Sequence, residues 1–176
     1  MTNSTNTLSE LAAGIYQPHV SVAIKKLHED AFVPSYGTEG AAGADLAAVI
    51  YPEDYPDGTP PAGQEALPIK PGERRLVKTG IAIELPIGYE AQCRPRSGLA
   101  LKHGITVLNA PGTIDSDYRG EIGVILHNTS EKVFYVNPGD RIAQLVIAPV
   151  TKGQFIEADD LSDTVRGEGG YGSTGV

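Results

Sequence analysis

The sequence is poor in cysteine, in basic residues and in long apolar runs, and each shortage narrows what the chain does. Cys93 is its only cysteine, which rules out an intrachain disulfide and suits a reducing compartment. No Cys/His pair has zinc-ligand spacing, and the four histidines (His19, His28, His103, His127) are scattered. Lys and Arg number 14 against 22 Asp and Glu, a formal net charge of −8. The global basic footprint of a nucleic-acid binder is therefore missing, and so is the charge expected of a membrane-surface protein. No apolar run approaches the ~18 residues of a membrane span. The N-terminal MTNSTNTLSELAAGIYQPH lacks both a basic n-region and a long apolar core, so it does not read as a signal peptide. The expectation is a soluble, cytoplasmic protein with no nucleic-acid and no membrane partner. A small anionic ligand stays open, because it feels local rather than net charge.

Long helices are missing as well. No stretch keeps an i, i+3, i+4, i+7 apolar pattern for ten residues, and only Ser97–His103 suits a short helix. What is present is glycine (21) and proline (13) in a chain of 176 residues, above average usage and typical of many turns. The length predicts one domain. From Val20 onward, short β-type segments alternate with turn signals: Val20–Ile24, Gly43–Ile50, Leu76–Leu85 broken at Thr79-Gly80, and Tyr89–Arg94. Ile105–Leu108, Glu121–Asn128, Lys132–Val136 and Arg141–Val150 come after them. Many short strands with Gly/Pro turns predict an all-β fold, a sandwich or barrel with at most one short helix.

Residues 1–19 read as a polar leader, 20–165 as the β domain and 166–176 as a glycine-rich tail. Tyr51–Leu67 is proline-rich and holds four acids without a base, which predicts an exposed loop insertion. Glu157–Asp163 is a second acidic stretch, and the eight acids of these two segments account for the whole net charge. The acidity thus lies away from the segments that carry chemistry.

Several of those segments combine polar groups in ways that suit an anionic ligand. The tail, RGEGGYGSTGV, has five glycines in eleven residues. Such backbone turns several N–H groups onto one anion, and Arg166, Ser173 and Thr174 add charged and hydroxyl donors. A floppy terminus is the plain reading of the same composition. It is not a Walker loop, since no Lys follows the glycines. Arg94-Pro-Arg96-Ser97-Gly98 sets two guanidinium groups and a hydroxyl at a strand-to-helix transition, suited to phosphate oxygens or simply to a Ser N-cap with two surface arginines. Gly112–Gly120 carries Asp115 and Asp117, either an Asp-rich turn or a carboxylate serving as general base for water. Gln144 falls inside the apolar run Arg141–Val150, where a buried polar group needs a partner. Asp45, among small residues, is either a capping residue or a group serving a metal's water shell. Cys93, His103 and His127 read as packing or surface residues.

Taken in order, Ala42–Ala48, Arg94–Gly104, Asn109–Gly120, Gly139–Gln144 and Arg166–Gly175 resemble the five signature motifs of the trimeric dUTPases, the deoxyuridine triphosphate nucleotidohydrolases. The resemblance covers residues 20–176. It implies a jelly-roll-like protomer in a homotrimer with shared active sites, and Mg²⁺-dependent hydrolysis of dUTP to dUMP and pyrophosphate by water attack at the α-phosphorus. By that resemblance Asp115 would activate the water and touch the 3′-OH, and Tyr118 would pack under the deoxyribose and leave no room for a 2′-OH. Asn109, with neighbouring backbone such as Gly112, would read uracil. Arg96, Ser97 and Gly98 would hold phosphate oxygens, with Ser97 also catalytic near the α,β-bridge where the bond breaks, and Gln144 would meet the α-phosphate or the water. Asp45 would reach Mg²⁺ through water. Tyr171 would stack on uracil, and Arg166, Gly172, Ser173 and Thr174 would close on the γ-phosphate. The related fold of dCTP deaminases carries a catalytic Glu in the strand after the Asp motif, where this chain has Ile125, and its Glu121 sits too early. A non-catalytic nucleotide-binding trimer is the other alternative.

Overall fold

The computed structural model of the chain describes residues 19–55, 58, 60 and 65–170. The leader before His19 and the end of the tail, Tyr171–Val176, lie outside these. Twelve strands run through the described residues: β1 (Ala23–Lys26), β2 (Ser35–Tyr36), β3 (Ala44–Ala47), β4 (Leu67–Ile69), β5 (Arg74–Lys78), β6 (Ile81–Glu84), β7 (Tyr89–Arg94), β8 (Ile105–Val107), β9 (Gly112–Ile114), β10 (Gly123–Asn128), β11 (Phe134–Val136) and β12 (Arg141–Pro149). One helix, α1 (Ser97–His103), joins β7 to β8.

The strands form a five-stranded sheet in the order β2-β3-β12-β7-β9, a three-stranded sheet β5-β10-β8, and the pairs β1-β6 and β4-β11. Every pairing is antiparallel. The period-two patterns explain why the sheets stack. Val124, Leu126 and Asn128 of β10 point inward while the residues between them are less buried, and Ala44 and Leu46 of β3 do the same. Inward side chains of all four sheets meet in one core, with Leu46, Ile69, Val77, Ile81, Ile105 and Val136 among its buried members. The architecture is the expected all-β, jelly-roll-like sandwich, with a single short α-helix among the described residues.

Two local features position the candidate residues. On β12, Arg141 pairs with Ala47, Ala143 with Leu46 and Gln144 with Asp45, so one extra residue bulges out between Arg141 and Ala143. In a regular strand residues 141 and 144 point to opposite faces; the bulge brings both to the face of Asp45. Helix α1 starts from an extended Arg96 and stops at Gly104, whose left-handed φ of 65° suits glycine. Arg96, rather than Ser97, takes the N-cap position, and no side chain caps it.

The segment Tyr51–Leu67 is anchored at its ends. Pro52–Asp54 forms a 3-10 turn, Tyr55 is buried and donates its hydroxyl to the Glu65 carbonyl at 2.7 Å, and Leu67 is buried in β4. After β12, residues 151–170 carry no strand or helix, and Phe155, Ile156, Leu161 and Val165 along them are largely exposed.

Candidate active site

Two clefts gather most of the candidate residues, and they lie on different faces of the five-stranded sheet. Asp45, Gln144 and Arg94 are cross-strand partners and share the outer face. Cys93 and its partner Gly112 belong to the opposite face, since successive residues alternate.

The outer-face cleft, about 520 Å³, is lined by Asp45, Arg96, Ser97, Gly98, Arg141 and Gln144, with Gly37, Ala41, Gly43, Leu99, Lys102 and His103 around them. Three cations here face one carboxylate among the described residues. Asp45 pairs with both arginines, its Oδ1 3.0 Å from Arg96 Nε and its Oδ2 accepting from Arg141 Nη1 at 2.9 Å. Arg96 also donates through Nη1 to the Arg141 carbonyl at 3.0 Å. The two guanidinium groups are thereby held side by side at the mouth of α1, a spacing suited to a polyphosphate. Gln144 donates from Nε2 to the Pro95 carbonyl at 2.9 Å, which fixes its amide against the start of the Arg96–Gly98 segment. Gly43 lies close beside it: a Cβ there would stand 2.6 Å from Gln144 Oε1 and would displace the amide. Ser97 and Gly98 open the helix at the edge of the cleft.

Arg94 does not join this cleft. Its guanidinium donates to Gln92 Oε1, which extends through Gln92 to Glu90 as a ladder along β7. Arg141, which does join it, lies within the Gly139–Gln144 motif but is given no role there by the sequence. Its sequence signal is a basic residue at the start of an otherwise apolar strand, but only the bulge turns it onto the face of Asp45.

The second cleft is smaller, about 180 Å³, and is lined by Asn109, Gly112, Asp115, Tyr118, Glu121 and Cys93, with Thr113, Ile114, Ile122 and Gly123. β9 supplies Gly112, where a Cβ would approach Asn109 Nδ2 to 3.1 Å, so the missing side chain lets the Asn109 amide lie across the strand. The Ala110–Pro111 peptide between them is cis. After β9 the chain turns, with Tyr118 N donating to the Asp115 carbonyl at 3.1 Å. Arg119 Nη1 closes the turn on the carbonyls of Ser116 (2.7 Å) and Tyr118 (2.9 Å), and its Nη2 lies 3.3 Å from Glu84. The turn presents the Asp115 carboxylate to solvent at the rim of the cleft, where a water and a sugar hydroxyl can reach it.

Tyr118 folds back over Gly120, where no Cβ fits against its ring, and donates its hydroxyl to the Glu121 carbonyl at 3.0 Å. Cys93 lines the same cleft, buried, its thiol pushed from 9.0 up to about 11 by burial, the environment of a packing cysteine. Ile125, in β10, brings no proton-transfer group, and the Glu121 carboxylate is committed to Tyr51 and to the Gly80 amide.

Arg166 stands apart from both clefts, donating to the Gly169 carbonyl at 2.7 Å. Tyr171, Gly172, Ser173 and Thr174 lie outside the described residues. Among the described residues no group of three or more His, Cys, Asp or Glu side chains could hold a metal ion, and no helix is long and apolar enough to cross a membrane.

The family model described as dUTPase matches residues 63–175. The chain is 54% identical over 156 residues to the deoxyuridine 5'-triphosphate nucleotidohydrolase of Nautilia profundicola, an alignment spanning 89% of this chain and 99% of that protein. It is 55% identical over 157 residues to the protein of the same name from a Hydrogenobaculum species, again with 89% and 99% covered. Among solved structures, the dUTPase of Staphylococcus bacteriophage 80alpha with dUpNHpp superposes at a TM-score of 0.74 and 25% identity, covering 89% of this chain and 99% of that one. The dUTPase of phage phi11 of S. aureus, described with a structural Mg(II) ion, has a TM-score of 0.67 at 21% identity, covering 81% and 99%.

Proposed function

The chain belongs to the dUTPase family, and from that premise we propose how its residues divide the work of hydrolysing dUTP to dUMP and pyrophosphate. The reaction itself goes with the family. The assignment of residues rests on one observation above all: a cation-lined cleft suited to phosphates and a carboxylate-rimmed cleft suited to a nucleoside occupy opposite faces of one sheet and share no lining residue.

One triphosphate nucleotide cannot fill both clefts of a single protomer from opposite faces. That placement supports a site shared between copies, which we take to be those of a homotrimer, with the phosphate cleft of one protomer meeting the nucleoside cleft of a neighbour. The exposed apolar side chains along 151–165 support a segment that packs on another copy and carries the tail to a third site. There Arg166, Tyr171, Gly172, Ser173 and Thr174 close on the γ-phosphate and the uracil ring.

Within the shared site Asp115 takes the proton of the attacking water and orients it on the α-phosphorus. Asn109, with the backbone around Gly112, reads the uracil edge; a wrong base that covers its amide leaves that amide unpaired, which is the costly error. Tyr118 packs under the deoxyribose. Arg96, Arg141, Ser97 and Gly98 bind the phosphates, and Gln144 holds the α-phosphate or the water in line. Pyrophosphate departs with the β- and γ-phosphates.

The donor set fits a divalent cation carried by the substrate rather than caged by protein. Asp45 is the one carboxylate of the phosphate cleft among the described residues, and two arginines already take its oxygens. Mg²⁺ keeps its waters and prefers phosphate oxygens, so Asp45 would meet it through a water. The ion supplies neutralisation of the phosphate charge. The single buried cysteine suits the reducing cytoplasm, where removing dUTP keeps uracil out of DNA and supplies dUMP for thymidylate synthesis.

The test is Asp115→Asn. Turnover of dUTP should fall roughly 10²–10⁴-fold, the usual worth of a general base, with little change in KM. A variant that keeps near-normal turnover would remove Asp115 from the chemistry.

A further inference from the structure

We propose that Tyr51, which lies outside all the motif segments, is a positioning residue for sugar discrimination, acting on Tyr118 through Glu121. The inference rests on the dUTPase reading of the nucleoside cleft and extends it to a residue that no motif includes.

The chain of contacts is short and fixed at every joint. Tyr51 donates its hydroxyl to Glu121 Oε1 at 3.0 Å, and the same oxygen accepts the Gly80 backbone N–H at 2.8 Å. Glu121 lines the nucleoside cleft, and its carbonyl accepts the Tyr118 hydroxyl at 3.0 Å. The attitude of the Tyr118 ring is therefore set at two points, by the bare Gly120 beneath it and by the Glu121 backbone at its tip.

Tyr51 is itself immobilised. Its amide donates to Asp54 Oδ2 at 2.7 Å, Lys78 Nζ stands 4.3 Å from the centre of its ring, and His28 meets the ring edge-on at 5.0 Å between centroids. Burial, reinforced by the Glu121 carboxylate, pushes the phenol up to about 12, so it stays a hydrogen-bond donor throughout the neutral range. A ring that must exclude one extra hydroxyl of the sugar needs a fixed position more than it needs strong contacts. A small outward shift of that ring opens room for the 2′-OH. Tyr51 meets the nucleotide only through this relay, and its effect falls on selectivity.

The experiment compares kcat/KM for dUTP and UTP in the wild type, Tyr51→Phe, Glu121→Gln, Glu121→Ala and Tyr118→Phe, with thermal unfolding of each. Tyr51→Phe should lower the dUTP/UTP selectivity by roughly tenfold, about the worth of one net hydrogen bond, and mainly by raising kcat/KM for UTP. Glu121→Gln keeps an acceptor oxygen and should retain selectivity, whereas Glu121→Ala should match Tyr51→Phe. The double variant Tyr51→Phe/Tyr118→Phe should be no less selective than Tyr118→Phe alone, because both act at one point. Wild-type selectivity in folded Tyr51→Phe, or strictly additive effects in the double variant, would overturn the relay while leaving the hydrolase reading intact. A wild type that releases no pyrophosphate from dUTP would overturn both.

Discussion

Gly43→Ala should perturb the proposed chemistry without touching a reacting group. The added methyl would sit 2.6 Å from Gln144 Oε1 and 3.1 Å from Gln144 Cβ, so the Gln144 side chain must move. Its amide is the far end of a flexible side chain, which lets the fold absorb the methyl. The loss in stability should be about 1 kcal/mol, the worth of the hydrogen bond to the Pro95 carbonyl that the rotated amide gives up. The functional loss should be larger. With Gln144 turned away from the α-phosphate position, turnover should fall about 10- to 100-fold, as for other misplaced positioning groups, and KM should change little because the arginines still hold the phosphates. Steady-state pyrophosphate release against dUTP concentration reads both constants, and urea unfolding reads the stability. Gly40→Ala, with nothing within 4 Å of its would-be Cβ, is the matched control and should behave as wild type. Gly43→Ala combined with Gln144→Ala should be no worse than Gln144→Ala alone. A Gly43→Ala enzyme with turnover indistinguishable from wild type would refute the placement of Gln144 in the reaction.

Two further outcomes concern buried polar groups. Asn128 is fully buried and ties β10 to its neighbours, donating to the carbonyls of Ile69 (2.8 Å) and Lys132 (2.7 Å) and accepting from Ser130; Asn128→Ala should cost about 3 kcal/mol, because the groups left unpaired each carry a desolvation penalty, and urea unfolding measures it. Cys93 gives a pH signature: its folded thiol is raised from 9.0 to about 11, so its contribution is complete below pH 9 and is lost as pH climbs toward 11. Across that window the wild type should lose up to ~2–3 kcal/mol relative to Cys93→Ala, and parallel unfolding midpoints for the two would contradict it.

Much of the fold was legible because strong local signals coincide with tertiary need. Tyr89–Arg94 and α1 fall where alternation and the Gly104 stop put them. β9 and β2 escaped because three residues and two residues carry no periodicity; both exist because neighbouring strands offer unpaired edges. Expected at Val20–Ile24, β1 runs over Ala23–Lys26, since pairing with β6 and not alternation fixes its register. Leu67 reads as the end of an exposed loop, yet β4 buries it against the core.

At the site, Asp45, Arg96 and Gln144 come together as their motifs suggest, and so do Asn109, Asp115 and Tyr118. Arg141, though inside a motif segment, showed no role, and Tyr51 did not show itself as part of the site. Arg141 needs a bulge that simple alternation denies, and Tyr51 reaches Glu121 across 70 residues of sequence, which no local pattern encodes.

The most direct test of the account is a nucleotide panel: purified protein with Mg²⁺ and, in separate reactions, dUTP, dCTP, dTTP and UTP, with pyrophosphate and ammonia followed together. Pyrophosphate from dUTP alone, with no ammonia from any nucleotide, is the predicted result. Ammonia from dCTP would indicate a deaminase, and silence with every nucleotide would indicate a binding protein; either would contradict it.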